Sequence, residues 1–139
     1  MQARTLARPA SNLDIPQTVV ARCGLAPFNG MQGLNLLPWL NDPDQPAPAR
    51  AGVMVESEPV VLPHGRVQPY RLRSLVNADW RVTVSNLPEL CEMYDLVNDP
   101  LEQVNLWTRE PALRQERCSQ LLSEEIQQAD RSPLPTAIA

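Results

Sequence analysis

Few residues in this chain of 139 amino acids have the type and spacing that catalysis or metal binding requires. The three cysteines, Cys23, Cys91 and Cys118, lie far apart and form no C-x-x-C pair, and the only histidine, His64, is distant from all three. Zinc sites draw their ligands from closely spaced Cys and His residues, so we expect none here. The cysteines are better interpreted as small apolar side chains of a packed interior. His64 is better interpreted as a surface residue than as the base of a Ser-His-Asp triad.

Acidic residues occur as pairs at two places, without the pattern of an acid–base site. Glu56 and Glu58 fall on one side of a predicted strand, and Glu124 and Glu125 are neighbours on a predicted helix. Carboxylates in such positions usually face solvent, and we expect the same here. Neither pair is therefore assigned a catalytic role.

Three arginines of a predicted β-hairpin could meet across its strands. Arg71, Arg73 and Arg81 would together form a face that binds an anion. The alternative is an outer face of ion pairs in which Glu56 and Glu58 neutralise the arginines, and this alternative is favoured.

The composition excludes several classes of function. All 12 basic residues are arginine, which excludes any mechanism that needs a lysine from this chain, such as a Schiff base or a phosphate-binding loop. The formal net charge is −4 and aromatic residues make up 4% of the chain, so we expect no nucleic-acid partner. No apolar run approaches the roughly 20 residues of a membrane-spanning helix, so we expect no membrane partner either.

A short helical region comes first in the chain. Residues 14–23 predict a helix that Asp14 caps and that Gly24 ends. An apolar stripe on this helix must pack against something, and the chain supplies little to cover it. The stripe consists of Ile15, Val19, Val20 and Cys23. Residues 35–40 predict one further helical turn, and the Pro-rich residues 41–52 predict a linker.

After the linker the apolar pattern becomes that of strands. Strands are predicted over 53–58, 70–76, 80–85 and 91–94, and the turn residues 77–79 join the middle two into a β-hairpin. Alternation predicts Tyr70 and Leu72 on the buried face of one hairpin strand, opposite Arg71 and Arg73. It predicts Trp80, Val82 and Val84 on the buried face of the other. We expect the aromatic side chains of Trp80, Tyr70, Tyr94 and Trp107 in the core between sheet and helix.

The last predicted element is an amphipathic helix that Thr108 caps and that Ser132 and Pro133 end. Its apolar positions are Leu113, Cys118, Leu121, Leu122, Ile126 and Ala129. Strands followed by a covering helix indicate an α+β fold. The predicted architecture is a small antiparallel sheet of about four strands covered by a long C-terminal helix.

Several strings of the sequence resemble, in chain order, segments of the arylsulfatase-like sulfatases of the alkaline phosphatase superfamily. Residues 11–20, SNLDIPQTVV, resemble a family helix of the form SNxDIxPT, and residues 30–40 resemble the loop after it, with Asn35 in place of the usual Ser. Residues 70–84 resemble the late hairpin. Residues 92–106 resemble the signature ELYDLxNDPxExxNL, in which Leu101 replaces a usual Gly. The resemblance extends from about residue 11 to the end of the chain.

This resemblance implies that the chain is the C-terminal region of a sulfatase. Residues 1–40 would be the C-terminal remnant of the catalytic α/β domain, residues 41–52 a linker, and residues 53–139 the C-terminal subdomain. The implied partner is the missing N-terminal catalytic domain, and oligomer contacts are a further expectation. Met1 would then be an internal methionine or the start of a truncated reading frame. Residues 130–136 resemble bacterial members, which implies a bacterial parent.

The chemistry that the resemblance implies lies outside this chain. In the family, a Cys or Ser in C/S-x-P-x-R becomes formylglycine, the nucleophile for sulfate esters, and Asp and Asn side chains hold a divalent cation, usually calcium. None of the cysteines lies in that pattern, and Ser57 begins it but is followed by Val61 in place of the Arg. The resemblance therefore places calcium and formylglycine in the full-length parent, and assigns no catalytic, cofactor-binding or metal-binding residue to this chain.

The function that these observations favour is a C-terminal fragment of a sulfatase-like hydrolase, structural and inactive alone. One alternative is an independent binding or interaction module that reuses the subdomain, and another is a fragment of a related phosphodiesterase. The stripe on the first helix distinguishes a fragment from a module. A fragment leaves Ile15, Val19 and Val20 bare, whereas an evolved module covers them.

Overall fold

The computed structural model describes residues 9–131 except 29, 43, 47–49, 62–64 and 66. The chain divides into two compact units. One unit comprises residues 50–124, and the other comprises residues 1–49 together with 125–139. His64, for which the sequence predicts a surface position, lies outside the described residues, as do Ser132 and Pro133 at the predicted end of the last helix.

Residues 1–49 contain two short helices, α1 (Asp14–Arg22) and α2 (Leu37–Asn41). The predicted helix is present, and Gly24 follows it with a φ of 70°, the left-handed conformation that ends many helices. The predicted cap is wrong, because Leu13 occupies the N-cap position and makes no side-chain cap. Asp14 is instead the first helical residue.

The unit of residues 50–124 is built on a sheet. The strands along the chain are β1 (Val53–Ser57), β2 (Val60–Val61), β3 (Val67–Gln68), β4 (Leu72–Val76), β5 (Trp80–Ser85) and β6 (Glu92–Asp95). Four of them form an antiparallel sheet in the order β1-β4-β5-β6, and β2 pairs with β3 in a separate two-stranded ribbon. The long helix α3 (Pro111–Arg131) follows. The predicted α+β fold is confirmed, and the β2–β3 ribbon within the Pro-rich loop was not predicted.

The β4–β5 hairpin forms as the turn residues predict. The Oδ1 atom of Asn77 accepts hydrogen bonds from the backbone N–H groups of Asp79 and Trp80, both at 2.9 Å. The N–H of Asn77 donates to the carbonyl of Trp80 at 3.1 Å, which closes the turn. An Asn side chain that satisfies two donors of its own turn fixes the register of the strands on either side.

The core lies between this sheet and α3. Met54, Leu75, Val82 and Met93 are adjacent across the four strands, and the last three of them are at most 1% exposed. Leu121 of α3 joins this cluster and is 7% exposed. Full burial of each such side chain contributes roughly 1.5–3 kcal/mol, so this cluster holds the helix on the sheet.

The face predicted for β4 is wrong, although its alternation is correct. Leu75 is fully buried on the side of the sheet that α3 covers, and Arg73 lies on that same side. Leu72 is on the other side, where Tyr70 lies beside it. Alternation defines two faces of a strand but does not say which one a helix will cover, and β4 has apolar residues on both.

The aromatic residues divide between the two sides of the sheet. Trp80 belongs to the core cluster and Trp107 packs against it, as predicted. Tyr94 is 8% exposed, but it pairs with Arg81 on the side away from α3. Because Tyr70 also lies on that side, the core between sheet and helix contains the two tryptophans and neither tyrosine.

The apolar stripe of α3 is narrower than predicted. Leu113, Cys118 and Leu121 pack on the core. Leu122 and Ile126 are 58% and 56% exposed, so neither is buried as the pattern predicted. The helix begins at Pro111, so Thr108 lies before it in a turn and is not its cap.

Candidate functional site

Arg73 of β4 and Arg71 just before it are neutralised by Glu56 of β1 and by Glu58, which follows that strand. Arg73 Nη2 lies 2.6 Å from Glu58 Oε1, Arg73 Nε lies 3.8 Å from Glu56 Oε1, and Arg71 Nε lies 3.1 Å from Glu58 Oε2. The hydrogen bond from Arg73, together with the charges of both arginines, lowers the pKa of Glu58. The predicted neutralisation by Glu56 and Glu58 is therefore confirmed for Arg71 and Arg73, and these paired guanidinium groups have little charge left to hold an anion.

Arg81 does not join the other two arginines. Its Nη2 atom lies 3.0 Å from Glu92 Oε2 and 2.7 Å from Glu102 Oε2. Its guanidinium group lies over the ring of Tyr94, 4.9 Å from the ring centroid. Burial, with the negative charge of Glu92 as a smaller cause, raises the pKa of Tyr94. Two carboxylates share one guanidinium, so this cluster is net negative and also offers no anion site.

A turn after β6 is built by the first part of the ELYDLxNDPxExxNL-like segment. The Oδ1 atom of Asp95 accepts the backbone N–H groups of Val97 and Asn98, both at 3.0 Å. Its Oδ2 atom accepts the side-chain amide of Asn98 at 2.7 Å. The bond from the Asn98 side chain, with smaller effects of the two backbone bonds, lowers the pKa of Asp95. The carboxylate therefore acts as the centre of a turn.

The second part of the same segment ties this turn to the sheet. Asn105 Oδ1 accepts the N–H of Met93 at 3.1 Å and that of Trp107 at 2.9 Å, and its amide donates to the carbonyl of Cys91 at 3.3 Å. Asp99 Oδ2 accepts the N–H of Val104 at 2.7 Å. Asp95, Asp99 and Asn105 thus bond to nearby backbone groups, and these bonds account for their place in the segment as structural.

Sequence reasoning missed the role of Asp14, which is 0% exposed. Its carboxylate accepts the N–H of Ser11 at 2.7 Å and the N–H of Leu34 at 2.8 Å. One helical turn later, Thr18 Oγ1 accepts the N–H of Leu36 at 3.0 Å. A Cβ atom at Gly33 would collide with the carbonyl of Leu13. These contacts fasten the loop before α2 onto α1, and the spacing of Asp and Thr in the SNxDIxPT-like string was the signal for them.

The prediction that Glu124 faces solvent is wrong, because this residue is 6% exposed. Its Oε1 atom accepts the N–H of Ala51 at 3.2 Å, and its Oε2 atom is buried without a hydrogen-bond partner among the described residues. The side chain of Asn77 donates to the carbonyl of Ala51 at 3.3 Å. The chain that enters β1 is therefore held by side chains from α3 and from the β4–β5 turn.

The cysteines are free thiols in three different environments. Cys91 is buried, as predicted, and Cys118 is half-buried, where burial raises its pKa. Cys23 is exposed, so the prediction of an interior position is wrong for it. Among the described residues, no three His, Cys, Asp or Glu side chains are grouped so that they could hold a metal ion. Nor does any described helix combine the length and apolar character needed to cross a bilayer.

Comparison with known proteins gives a match among solved structures only. No protein-family model and no curated protein matches the chain. The structure of BT4656 in complex with its substrate D-glucosamine-2-N,6-O-disulfate is similar to 86% of this chain, with a TM-score of 0.67 and 25% identity. The phosphonate monoester hydrolase of Agrobacterium radiobacter is similar to 83% of it, with a TM-score of 0.66 and 24% identity. The resemblance to the sulfatases and their superfamily is confirmed.

The extent of the match bears on both units. The chain spans 24% of the length of each of the two hydrolases. Residues 50–124 are little more than half of this chain, so a match over 86% of it must include residues of the other unit as well. The similarity is therefore not confined to the sheet and its helix.

Proposed function

We propose that this chain is the C-terminal region of a sulfatase-like hydrolase and that it contributes structure, while catalysis depends on residues upstream. The observation that carries this proposal is the match of most of the chain to about a quarter of each of two hydrolases. In this proposal residues 1–40 complete the catalytic α/β domain, residues 41–52 are a linker, and residues 53–139 are the C-terminal subdomain.

The charged residues of the chain support a structural role. Arg71, Arg73 and Arg81 each have carboxylate partners, and a guanidinium that is already paired has little charge left for a sulfate group. Following the resemblance to the sulfatases, we propose that calcium and formylglycine belong to the upstream part of the parent, and no step is assigned to them here.

The exposed face of α1 supports a fragment over an independent module. Ile15 and Val19 are 61% and 56% exposed, and Val20 is half-buried. Two large apolar side chains one helical turn apart are costly to leave in water and are typical of a surface that something else covers. The missing N-terminal catalytic domain is the partner that this proposal assigns to the face.

The parent reaction favoured by the match is hydrolysis of a sulfate ester. The substrate named for BT4656 is a disulfated glucosamine, which agrees with the sulfatase-like strings of this sequence. The second structure is that of a phosphonate monoester hydrolase, so hydrolysis of a phosphonate or phosphate diester is the second candidate. The two candidates differ in the ester group that the upstream residues attack.

The test compares residues 1–139 with the polypeptide extended upstream in the same reading frame. Each is assayed with calcium on 4-nitrophenyl sulfate and on 4-nitrophenyl phenylphosphonate. We expect no turnover by residues 1–139 and turnover of the sulfate ester by the extended polypeptide. Turnover by residues 1–139 alone would overturn the structural role. Turnover of the phosphonate ester alone would favour the second candidate.

A further inference from the structure

The unit of residues 50–124 begins and ends at the same place, where Glu124 of α3 meets the chain that enters β1. Glu124 Oε1 accepts the N–H of Ala51 at 3.2 Å, and the side chain of Asn77 donates to the carbonyl of Ala51 at 3.3 Å. Both backbone polar groups of Ala51 are thus held by side chains from other elements. We call this arrangement of Ala51, Asn77 and Glu124 the latch.

The residue after Ala51 brings the latch together by close packing. Gly52 is buried, and a Cβ atom there would lie 2.6 Å from the carbonyl oxygen of Val76 and 2.9 Å from Leu75 Cδ1. There is no room for a side chain at this position, so the backbone of Gly52 lies directly against β4. This close approach places the N–H and C=O groups of Ala51 within reach of the two side chains that bind them.

The carboxylate of Glu124 is the weak part of the latch. Glu124 is 6% exposed, and its Oε2 atom is buried without a hydrogen-bond partner among the described residues. A carboxylate in water makes several hydrogen bonds, so closing the latch removes water from a charged group that gains little in return. Opening the latch returns this carboxylate to water and recovers that free energy.

The centre of the same unit is held in a different way. Leu75, Val82 and Met93 are at most 1% exposed, and their burial stabilises the sheet without a buried charge. Ala51 is exposed and contributes almost no apolar burial. Segments with little apolar burial open at a lower free energy than the core of a domain does. The latch is therefore the part of this unit that is least costly to open.

We infer that the latch opens as a local step that separates the two ends of the unit while the sheet stays folded, and that the buried carboxylate of Glu124 sets how often it opens. The inference does not depend on the reaction of the parent hydrolase. Trypsin provides a way to observe the opening, because it cleaves after arginine and the bond between Arg50 and Ala51 lies in the latch.

The test uses residues 1–139 and two measurements of the same opening. Nuclear magnetic resonance measures deuterium exchange at the amide of Ala51, and mass spectrometry measures the rate at which trypsin releases the fragment that ends at Arg50. Glu124→Gln keeps an acceptor for Ala51 but removes the charge, whereas Glu124→Ala removes the acceptor. The control is Glu116→Gln on the same helix, where the carboxylate lies 3.1 Å from Arg117 Nη1. Circular dichroism shows that each variant folds.

We expect Glu124→Gln to slow both rates about tenfold, because a neutral amide costs less to bury than a carboxylate. We expect Glu124→Ala to raise both rates about tenfold, because the N–H of Ala51 loses its acceptor. Glu116→Gln should leave them unchanged. The inference is overturned if Glu124→Gln opens as fast as the wild type or faster, if Glu124→Ala opens no faster than the wild type, or if the control acts as strongly as Glu124→Gln.

A core variant shows whether the opening is local. Val82 is fully buried in the sheet, so Val82→Ala lowers the stability of the whole unit. If the latch opens locally, the amides of β5 exchange faster in this variant while the amide of Ala51 and the cleavage at Arg50 keep their wild-type rates. If the amide of Ala51 accelerates by the same factor as those of β5, the latch opens only when the unit unfolds, and the inference is wrong.

Discussion

Asp14 has a carboxylate that is 0% exposed and that holds two backbone N–H groups, those of Ser11 and Leu34. In Asp14→Ala both donors lose this acceptor, and an unsatisfied buried donor costs about 1–3 kcal/mol. We therefore expect the amide of Leu34 to exchange with deuterium at least roughly tenfold faster, since about 1.4 kcal/mol corresponds to a factor of ten.

Nuclear magnetic resonance measures this exchange directly. The matched control is Asp42→Ala, which removes an exposed carboxylate that accepts the N–H of Asp44 at 3.2 Å. The control should leave the amide of Leu34 as well protected as in the wild type. Unchanged protection in Asp14→Ala would contradict the role assigned to this carboxylate.

The pKa of Asp95 is lowered by the hydrogen bonds that it accepts, chiefly the one from the side chain of Asn98. Stability should therefore depend on pH through this carboxyl group. A carboxyl group with a lower pKa in the folded state binds protons more weakly there than in the unfolded chain. Its contribution to stability is full above the usual Asp pKa of about 3.9 and is lost as the pH falls through the lowered value. In Asp95→Asn this contribution is absent, so we expect Tm to fall less steeply with acid than in the wild type.

Thermal unfolding between about pH 6 and pH 2.5 measures how Tm changes with pH in the wild type and in Asp95→Asn, over the range in which this carboxyl titrates. Glu58, whose pKa is lowered by Arg73, contributes in the same direction in both proteins and does not alter their difference. Asp79→Asn changes the net charge by the same amount and serves as the control for charge. A slope in Asp95→Asn equal to that of the wild type would show that the turn does not depend on the ionised carboxyl.

At the scale of elements, two adjacent leucines of α3 allow the contribution of core packing to stability to be measured apart from that of helix propensity. Leu121 is 7% exposed in the core cluster, whereas Leu122 is 58% exposed. Leu121→Ala leaves a cavity between helix and sheet and should lower the free energy of unfolding by about 2–4 kcal/mol. Leu122→Ala should change it by about 0.5 kcal/mol or less, because Ala and Leu have similar helix propensities. Urea denaturation followed by circular dichroism compares the two, and equal losses would mean that α3 packs differently.

The elements that could be predicted are those whose local chemistry and apolar pattern agree. The β4–β5 hairpin was predicted because Asn77 closes its own turn between two alternating strands. The face of β4 that packs on α3 was predicted wrongly, because alternation leaves Leu72 and Leu75 as equal candidates for the core. That choice depends on where α3 lies, which involves residues distant in sequence. For the same reason the burial of Glu124 could not be predicted, since its partner Ala51 is far away in the chain.

For the whole molecule, the family resemblance was predictable from strings of residues, while the roles of those residues were not. The strings contain Asp14, Asp95 and Asn105, and the structure shows each of them bonded to backbone groups. A polar residue in a motif is as compatible with such a role as with chemistry, and only its partners distinguish the two. The absence of a candidate catalytic residue in this sequence stays a prediction about the chain, to be tested by the activity assay above.

The bare face of α1 gives a prediction about the state of the chain in solution. Ile15 and Val19 are 61% and 56% exposed, and if a larger domain normally covers them, residues 1–139 alone should self-associate as concentration rises. Ile15→Gln combined with Val19→Gln should reduce the concentration-dependent mass that light scattering measures. The control pair, Val97→Gln with Leu101→Gln, removes side chains that are 66% and 76% exposed in the other unit and should have little effect. A wild-type chain that stays monomeric, or a control pair that acts as strongly, would mean that α1 has no special need of cover, and the independent module would then be the better account of this chain.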